Sequence, residues 1–236
     1  MEHIALVTGA NKGIGKEIAR QLAKQGVHVV MSARNAERGQ AAADELQKDG
    51  LSVEFVQLDV TDDASVTAAA EKIKQKHGKL DILVNNAGIA IWPQDPMQFD
   101  AEAFKTTYDT NVFGIVRVTG AMHELLKASG HGRIVNMSSS LGSIGLTQKS
   151  DGRTLLPAYN SSKTAVNELT VAYSKLLAED GIKVNSACPG YTATDMNDHR
   201  GVRSVEQGAA TPVRLALIEN DGPTGGFFDD NGPVEW

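Results

Sequence analysis

The chain is poor in several features that would otherwise direct its reading. One cysteine, Cys188, occurs in 236 residues, so no internal disulfide can form and a reducing, cytoplasmic setting is expected. No stretch of 18 consecutive apolar residues suits a membrane-spanning helix, and Met1-Glu2-His3 leads into an apolar segment without the basic flank or cleavage site of a secretory leader. A membrane partner is therefore not expected. Like charges never run to five or six in a row and the net charge is −6, which argues against a nucleic-acid partner. The six histidines (His3, His28, His77, His123, His131, His199) show no HExxH or other ligand spacing, so scattered surface or packing roles are expected and no metal site. Low-complexity segments and linkers are also missing. With 41% hydrophobic and 22% charged residues, residues 1–236 read as a single soluble domain with a continuous core.

What is present is an alternation of short β-branched runs with longer helical patterns. The runs are Ile4–Val7, Val27–Met31, Val53–Val56, Ile82–Val84, Ile134-Val135 and Ile182–Val184. Such alternation predicts βαβ units, hence an α/β fold with a doubly wound parallel sheet covered by helices on both faces. Ile14, Ile18 and Leu22, then Val66, Ala69, Ala70 and Ile73, then Ala165, Leu169, Ala172 and Leu176 follow helical spacing and are expected core stripes. Gly26, Gly50, Gly78, Gly130 and Gly181 fall where those helices should stop.

After the first run comes Thr8-Gly9-Ala10-Asn11-Lys12-Gly13-Ile14-Gly15, leading directly into helical spacing. Glycines at a strand-to-helix turn let the backbone approach a pyrophosphate, whose charge is favoured by the free amides and dipole of the helix N-terminus. Gly9, Asn11, Lys12, Gly13, Ile14 and Gly15 are thus candidate nucleotide ligands. An acid after the second strand would hold the ribose hydroxyls of NAD, but the chain reads Ser32-Ala33-Arg34-Asn35 there. Arg34, with Lys12 nearby, suits the 2′-phosphate of NADP instead.

Tyr159-Asn160-Ser161-Ser162-Lys163 lies downstream of a serine cluster, Ser138-Ser139-Ser140. Residues four apart share a helix face, so the Tyr159 phenol and the Lys163 ammonium project together. A phenol titrates near 10, and a fixed cation beside it should lower that value toward the range useful for proton transfer.

These motifs, with Asp59-Val60, Asn85-Asn86-Ala87-Gly88, Asn111-Val112-Phe113-Gly114 and Pro189-Gly190, stand in the order of the short-chain dehydrogenases/reductases. The chain resembles that family over nearly its whole length. Its G-x-x-x-G-x-G spacing fits the family, and Cys188–Tyr191, Thr194–Met196, Glu206–Ala209 and Val234–Trp236 resemble the NADPH-dependent carbonyl reductase subgroup, which includes menthone and salutaridine reductase relatives. The resemblance implies a Rossmann-type fold and NADPH as cofactor. It implies that Asp59 and Val60 contact adenine, that Asn86, Ala87 and Gly88 line the cofactor groove, and that Pro189, Gly190, Thr192 and Thr194 flank nicotinamide and pyrophosphate. It also implies Asn111, Ser139, Tyr159 and Lys163 as the catalytic set, with Ser138 the alternative to Ser139 and Asn111 holding a water through its backbone. Tyr159 and Lys163 would touch the cofactor as well.

The resulting expectation is reversible reduction of a ketone or aldehyde. Ser139 and Tyr159 bind the carbonyl oxygen, Tyr159 gives the proton, and Lys163 tunes Tyr159 and binds the nicotinamide ribose. Ile91, Trp92, Leu141, Tyr191 and Met196 are candidate walls for a hydrophobic substrate. A rival is a non-catalytic NADP-binding regulator on the same fold, against which the intact serine, tyrosine and lysine argue. A nucleotide-sugar epimerase would need a larger C-terminal domain than the 73 residues after Lys163, and an enoyl reductase a wider tyrosine-lysine spacing. A homo-oligomer is compatible with the family.

One departure concerns the twenty positions between Ser139 and Tyr159, longer than the common family spacing and shorter than the subgroup's insertion. Gly145, Ser150, Asp151 and Gly152 are turn formers, and Lys149, Asp151 and Arg153 are charged. Residues 143–156 are therefore expected to form a solvated loop beside the substrate pocket.

Overall fold

The computed structural model describes residues 3–92, 100–152 and 155–236. Eight strands form one sheet: β1 (Ile4–Val7), β2 (His28–Ala33), β3 (Val53–Gln57), β4 (Ile82–Asn85), β5 (Arg133–Met137), β6 (Lys183–Ala187), β7 (Phe227–Asp229) and β8 (Gly232–Pro233). Their order is β3-β2-β1-β4-β5-β6-β7-β8, parallel throughout except for the β7–β8 hairpin. The chain winds outward from β1 to β3 and then crosses back to β4. That reversal opens a crevice beyond the carboxyl ends of β1 and β4, where doubly wound sheets bind ligands.

The helices are α1 (Gly13–Lys24), α2 (Ala36–Lys48), α3 (Asp63–His77), α4 (Ala101–Tyr108), α5 (Gly114–Ser129), α6 (Ile144–Lys149), α7 (Pro157–Leu176) and α8 (Val205–Ala216). A π-helical turn, Asp109–Phe113, joins α4 to α5. Alternation along the strands sends side chains to two cores. Ala5, Val7, Val29 and Met31 meet Ile18 and Leu22 of α1, Leu46 of α2 and Leu215 of α8. Ile4, Leu6, Val30 and Leu83 meet Val66 and Ile73 of α3 and Val118 and Met122 of α5. All five anticipated terminating glycines have positive φ, between 65° and 81°, the left-handed region that glycine enters without strain.

Three expectations change. Strands β2 to β6 run one to three residues beyond the apolar runs, in β5 and β6 because Arg133, Asn136 and Ser186 are themselves buried and paired. The β7–β8 hairpin carries no β-branched run and was not anticipated. The stripe Ala165, Leu169, Ala172 and Leu176 is not the inner face of α7: Leu176 is 73% exposed, while Ser162, Val166, Asn167, Thr170 and Ser174 are buried. The reason is polar. Asn85 donates to Asn136, Asn136 to Thr170, and Thr170 pairs with Ser186, so a hydrogen-bonded chain from β4 through β5 to β6 takes the polar face of α7 inward.

Candidate active site

The turn between β1 and α1 packs against the end of β4 so closely that side chains are excluded. A Cβ on Gly15 would lie 2.3 Å from Asn86 Nδ2 and 2.6 Å from Gly9 O, and one on Gly9 would lie 3.0 Å from Ala87 Cα. Thr8 secures this contact, its Oγ1 accepting from the amides of both Asn86 and Ala87 at 3.0 Å. Asn86 Nδ2 donates back to Thr8 O. Helix α1 starts on Lys12 without a side-chain cap, whereas α2, α3 and α8 are capped by Asn35, Asp62 and Ser204. Its first amides therefore remain available to an anion.

A cleft of about 2140 Å³ extends from this turn along the carboxyl ends of the strands, and every residue anticipated for the cofactor, from Gly9 to Thr194, lines it. Arg34 is exposed at one edge. Lys12 is engaged elsewhere: its Nζ lies 2.6 Å from Asp195 Oδ2, and His199 Nε2 lies 3.0 Å from the other Asp195 oxygen. Thr194 faces the glycine turn, with its Cγ2 3.7 Å from where a Gly13 Cβ would be. Thr192 is buried under Gly208 and donates to Pro189 O, so it shapes the loop as well as lining the groove. Asp59 binds Thr61 through Oδ1, and Val60 packs where Gly114 leaves no room for a Cβ.

At the far end of the cleft, the end of β5 and the first turns of α7 meet. Ser139 lies beside Tyr159, close enough to act on its phenol, and accepts from Leu141 N at 3.2 Å. Ser138 is turned away, 2% exposed, its hydroxyl toward Lys163 O. Lys163 Nζ donates to Met137 O at 2.7 Å and lies 5.5 Å from the centre of the Tyr159 ring. A Cβ on Gly142 would lie 2.7 Å from the Lys163 backbone, so the glycine three residues past Ser139 lets the serine turn reach α7. Asn111 lies behind the cleft in the π-helical turn, fully buried. Its amide side chain bonds both backbone groups of Ile89 and the Ser162 hydroxyl, tying the π turn to the β4 loop and α7.

The electrostatics differ from the expectation in one respect. Burial pushes the Tyr159 phenol up to about 12, opposed by the Ser139 hydroxyl beside it, and pushes the Lys163 ammonium down to about 8. Desolvation is the largest cause for both groups, and the ammonium is held by Met137 O. At neutral pH the phenol keeps its proton and the lysine remains mostly charged.

The expected loop at residues 143–156 is solvated over most of its described residues but is not wholly a loop, because Ile144–Lys149 form a helix with no buried residue. A single turn, Ser140–Gly142, leads into α6, which Ser143 caps from a fully buried position by accepting from Leu146 N. Gly145 N donates to Trp236 O, and Lys149 pairs with Glu235. These contacts to the C-terminal segment order the excursion, which a local reading of turn formers could not include. Gly152, at φ 75°, does form a turn, and Arg153 lies outside the described residues. Trp92, Leu141, Tyr191 and Met196 line the cleft, and Trp92 Nε1 donates to Met196 O; Ile91 is not among the described residues that line it. Leu156, buried at the start of α7, and Phe113 join the lining without having been singled out. The histidines are less scattered than anticipated, since His28 meets His77 and His3 meets His131.

Comparison with known proteins agrees with this architecture. Residues 3–203 match the family model of the short chain dehydrogenases. The chain belongs to that family. Within it, the chain falls in the carbonyl reductase-like subgroup. It is 38% identical to (+)-neomenthol dehydrogenase of Arabidopsis thaliana, covering 95% of each chain, and 37% identical to human carbonyl reductase [NADPH] 1, covering 99% of this chain and 98% of that one. The latter alignment spans 275 positions against 236 residues here, so the relative contains segments that this chain lacks. The NADPH-bound carbonyl reductase from chicken fatty liver superposes with a TM-score of 0.89 at 27% identity, covering 100% of this chain and 99% of that one. Salutaridine reductase from Papaver somniferum superposes with a TM-score of 0.86 at 31% identity, covering 97% and 100%.

Proposed function

We propose that this chain reduces a ketone or aldehyde carbonyl to an alcohol, reversibly, with NADPH. The observation that carries the reading is the convergence of Ser139, Tyr159 and Lys163 at one end of a cleft whose other end is the glycine turn. The residues fit the dinucleotide: glycines leave a cradle that any Cβ would fill, α1 offers uncapped amides, and Arg34, exposed on the cleft, is a cation available to a 2′-phosphate. When bound, NADPH supplies the hydride.

The protein supplies orientation and the proton. Ser139 and Tyr159 present two hydroxyls to a carbonyl oxygen, fixing the carbon and stabilising charge as it develops on oxygen. Tyr159, protonated at neutral pH, gives its proton to the forming alkoxide. Lys163, positively charged beside the ring, stabilises the phenolate left behind. Asn111 holds the π turn against α7 and so keeps Lys163 in place. The walls offered by Trp92, Leu141, Tyr191, Met196 and Leu156 favour a hydrophobic carbonyl, and α6 borders the same space. The single buried cysteine fits a cytoplasmic location, and among the described residues no helix is long and apolar enough to cross a membrane.

The test is loss of NADPH absorbance across a panel of ketones, aldehydes and quinones, with Tyr159→Phe as the variant. Removal of one oxygen should lower turnover by roughly 10²–10⁴-fold while NADPH binding persists. Turnover retained within about tenfold would remove Tyr159 as proton donor. A protein that binds NADPH but consumes none across the panel would favour the regulatory reading.

A further inference from the structure

The end of the sheet opposite the cleft carries a cluster that the proposed chemistry does not use. His28 opens β2, Glu54 lies on β3 in register with Val30, and His77 closes α3. Side chains alternate along a strand, so His28, Val30 and the paired Glu54 share the face that α3 covers. Glu54 Oε1 lies 2.6 Å from His77 Nε2 and 3.4 Å from His28 Nε2. All three side chains are between 11% and 18% exposed, so the cluster is sheltered yet reachable. His28 Nδ1 is 2.8 Å from Ser52 Oγ, but His28 Nε2 makes no hydrogen bond although water does not reach it. A histidine–glutamate pair accounts for His77. It leaves His28 Nε2 with only the 3.4 Å contact to Glu54 and no hydrogen bond.

We infer that His28 Nε2, Glu54 Oε1 and His77 Nε2 are three ligands of a divalent transition-metal ion of the zinc class, with solvent in the fourth position. Two imidazoles and one carboxylate are a donor set that zinc accepts, and an open fourth place is compatible with a three-ligand site. The three donor atoms lie within 4.8 Å of one another. Metal–ligand bonds of about 2.0–2.1 Å in a tetrahedron place neighbouring donors roughly 3.3–3.4 Å apart, the separation His28 and Glu54 already have. His77 and Glu54 need only open by less than about 1 Å as the ion replaces the proton between them. Ser52 Oγ, accepting from His28 Nδ1–H, fixes the tautomer that leaves the Nε2 lone pair free, a typical outer-shell arrangement. The C-terminal end of α3 adds a partial negative charge.

One group opposes the ion. Lys76 binds the other oxygen of Glu54, but it is 63% exposed and on the surface, so it can swing into solvent. The ion would staple the edge strand β3 to β2 and α3, at the far end of the sheet from the cleft.

The test is calorimetric titration of the whole, tag-free protein with Zn²⁺, together with Co²⁺ absorption, which is intense only in tetrahedral coordination. One ion per chain is expected, with His28→Gln and His77→Gln each weakening it by about 100-fold or more and Ser52→Ala by about 10–100-fold. Lys76→Ala should tighten binding, because it removes a competing cation. Zn²⁺ should raise the thermal midpoint of the wild type, and a chelator should reverse the rise. Zinc affinity unchanged in folded His28→Gln, or lost instead in His131→Gln or His199→Gln, would overturn the assignment. If a histidine variant does not fold, the wild-type Co²⁺ spectrum decides alone, and an absent or weak band that Zn²⁺ does not displace would overturn it.

Discussion

The two ends of the parallel sheet assemble their chemistry in different ways. At the carboxyl ends, each part of the cleft comes from a contiguous stretch: Thr8–Gly15 for the turn, Ser138–Ser140 for the hydroxyls, Tyr159–Lys163 for the phenol and the ammonium. At the amino ends, the histidine–glutamate cluster draws single residues from positions 28, 54 and 77, brought together by strand register and by where α3 stops. A contiguous motif fixes its own local geometry, because the helix or turn it forms sets the spacing of its side chains. A dispersed cluster has no such internal ruler. The same fold makes both, and only one can be read before folding.

If that contrast holds, substitutions at the carboxyl ends should alter turnover and those at the amino ends should not. Lys163→Met is expected to lower turnover by roughly 10²–10⁴-fold, whereas Lys76→Ala leaves it unchanged; equal loss in both, by NADPH consumption, would break the comparison. Lys163 also sets a pH dependence. Its value is lowered to about 8 in the folded protein against 10.5 unfolded, so below about 8 the charge is carried in both states and its burial destabilises the fold. As pH rises from about 8 toward 10, the folded state sheds this proton first and stability rises, by an amount on the order of 3 kcal/mol if the full window is crossed. Tyr159, pushed up to about 12, acts in the opposite sense only above about pH 10. Urea unfolding of the ligand-free wild type from pH 7.5 to 10 should show the rise, and Lys163→Met should lack it.

A smaller effect sharpens the cofactor end. If Arg34 holds the 2′-phosphate, Arg34→Asp should cost about 1.5–3 kcal/mol, so NADPH affinity should fall on the order of ten- to 150-fold and preference should move toward NADH. Equal affinity of the unaltered protein for NADH and NADPH would contradict the role of Arg34. The smallest effect belongs to the excursion. Glu235→Ala breaks a surface pair with Lys149 and should cost about 0.2–1 kcal/mol in stability, while the order of preferred carbonyls shifts and NADPH affinity holds. An unchanged substrate order with altered assembly by light scattering would make α6 part of a subunit interface instead.

The sequence by itself determined the alternating α/β plan, the terminating glycines, the glycine turn and the pairing of Tyr159 with Lys163, because each rests on periodicity or on a backbone requirement satisfied within a few residues. It left Ser138 and Ser139 as alternatives, and the tertiary contact of β5 with α7 turned one toward Tyr159 and the other toward Lys163 O. It misjudged α7, since an apolar stripe is ordinarily the buried one, and only the polar chain through Asn85, Asn136, Thr170 and Ser186 reverses that preference. It read α6 as loop because the contacts that hold it come from Glu235 and Trp236, at the other end of the chain. The upward shift of Tyr159 and the gathering of His28, Glu54 and His77 were likewise decided by tertiary structure. Burial and long-range proximity depend on how distant segments pack, and no local pattern of residues carries that information.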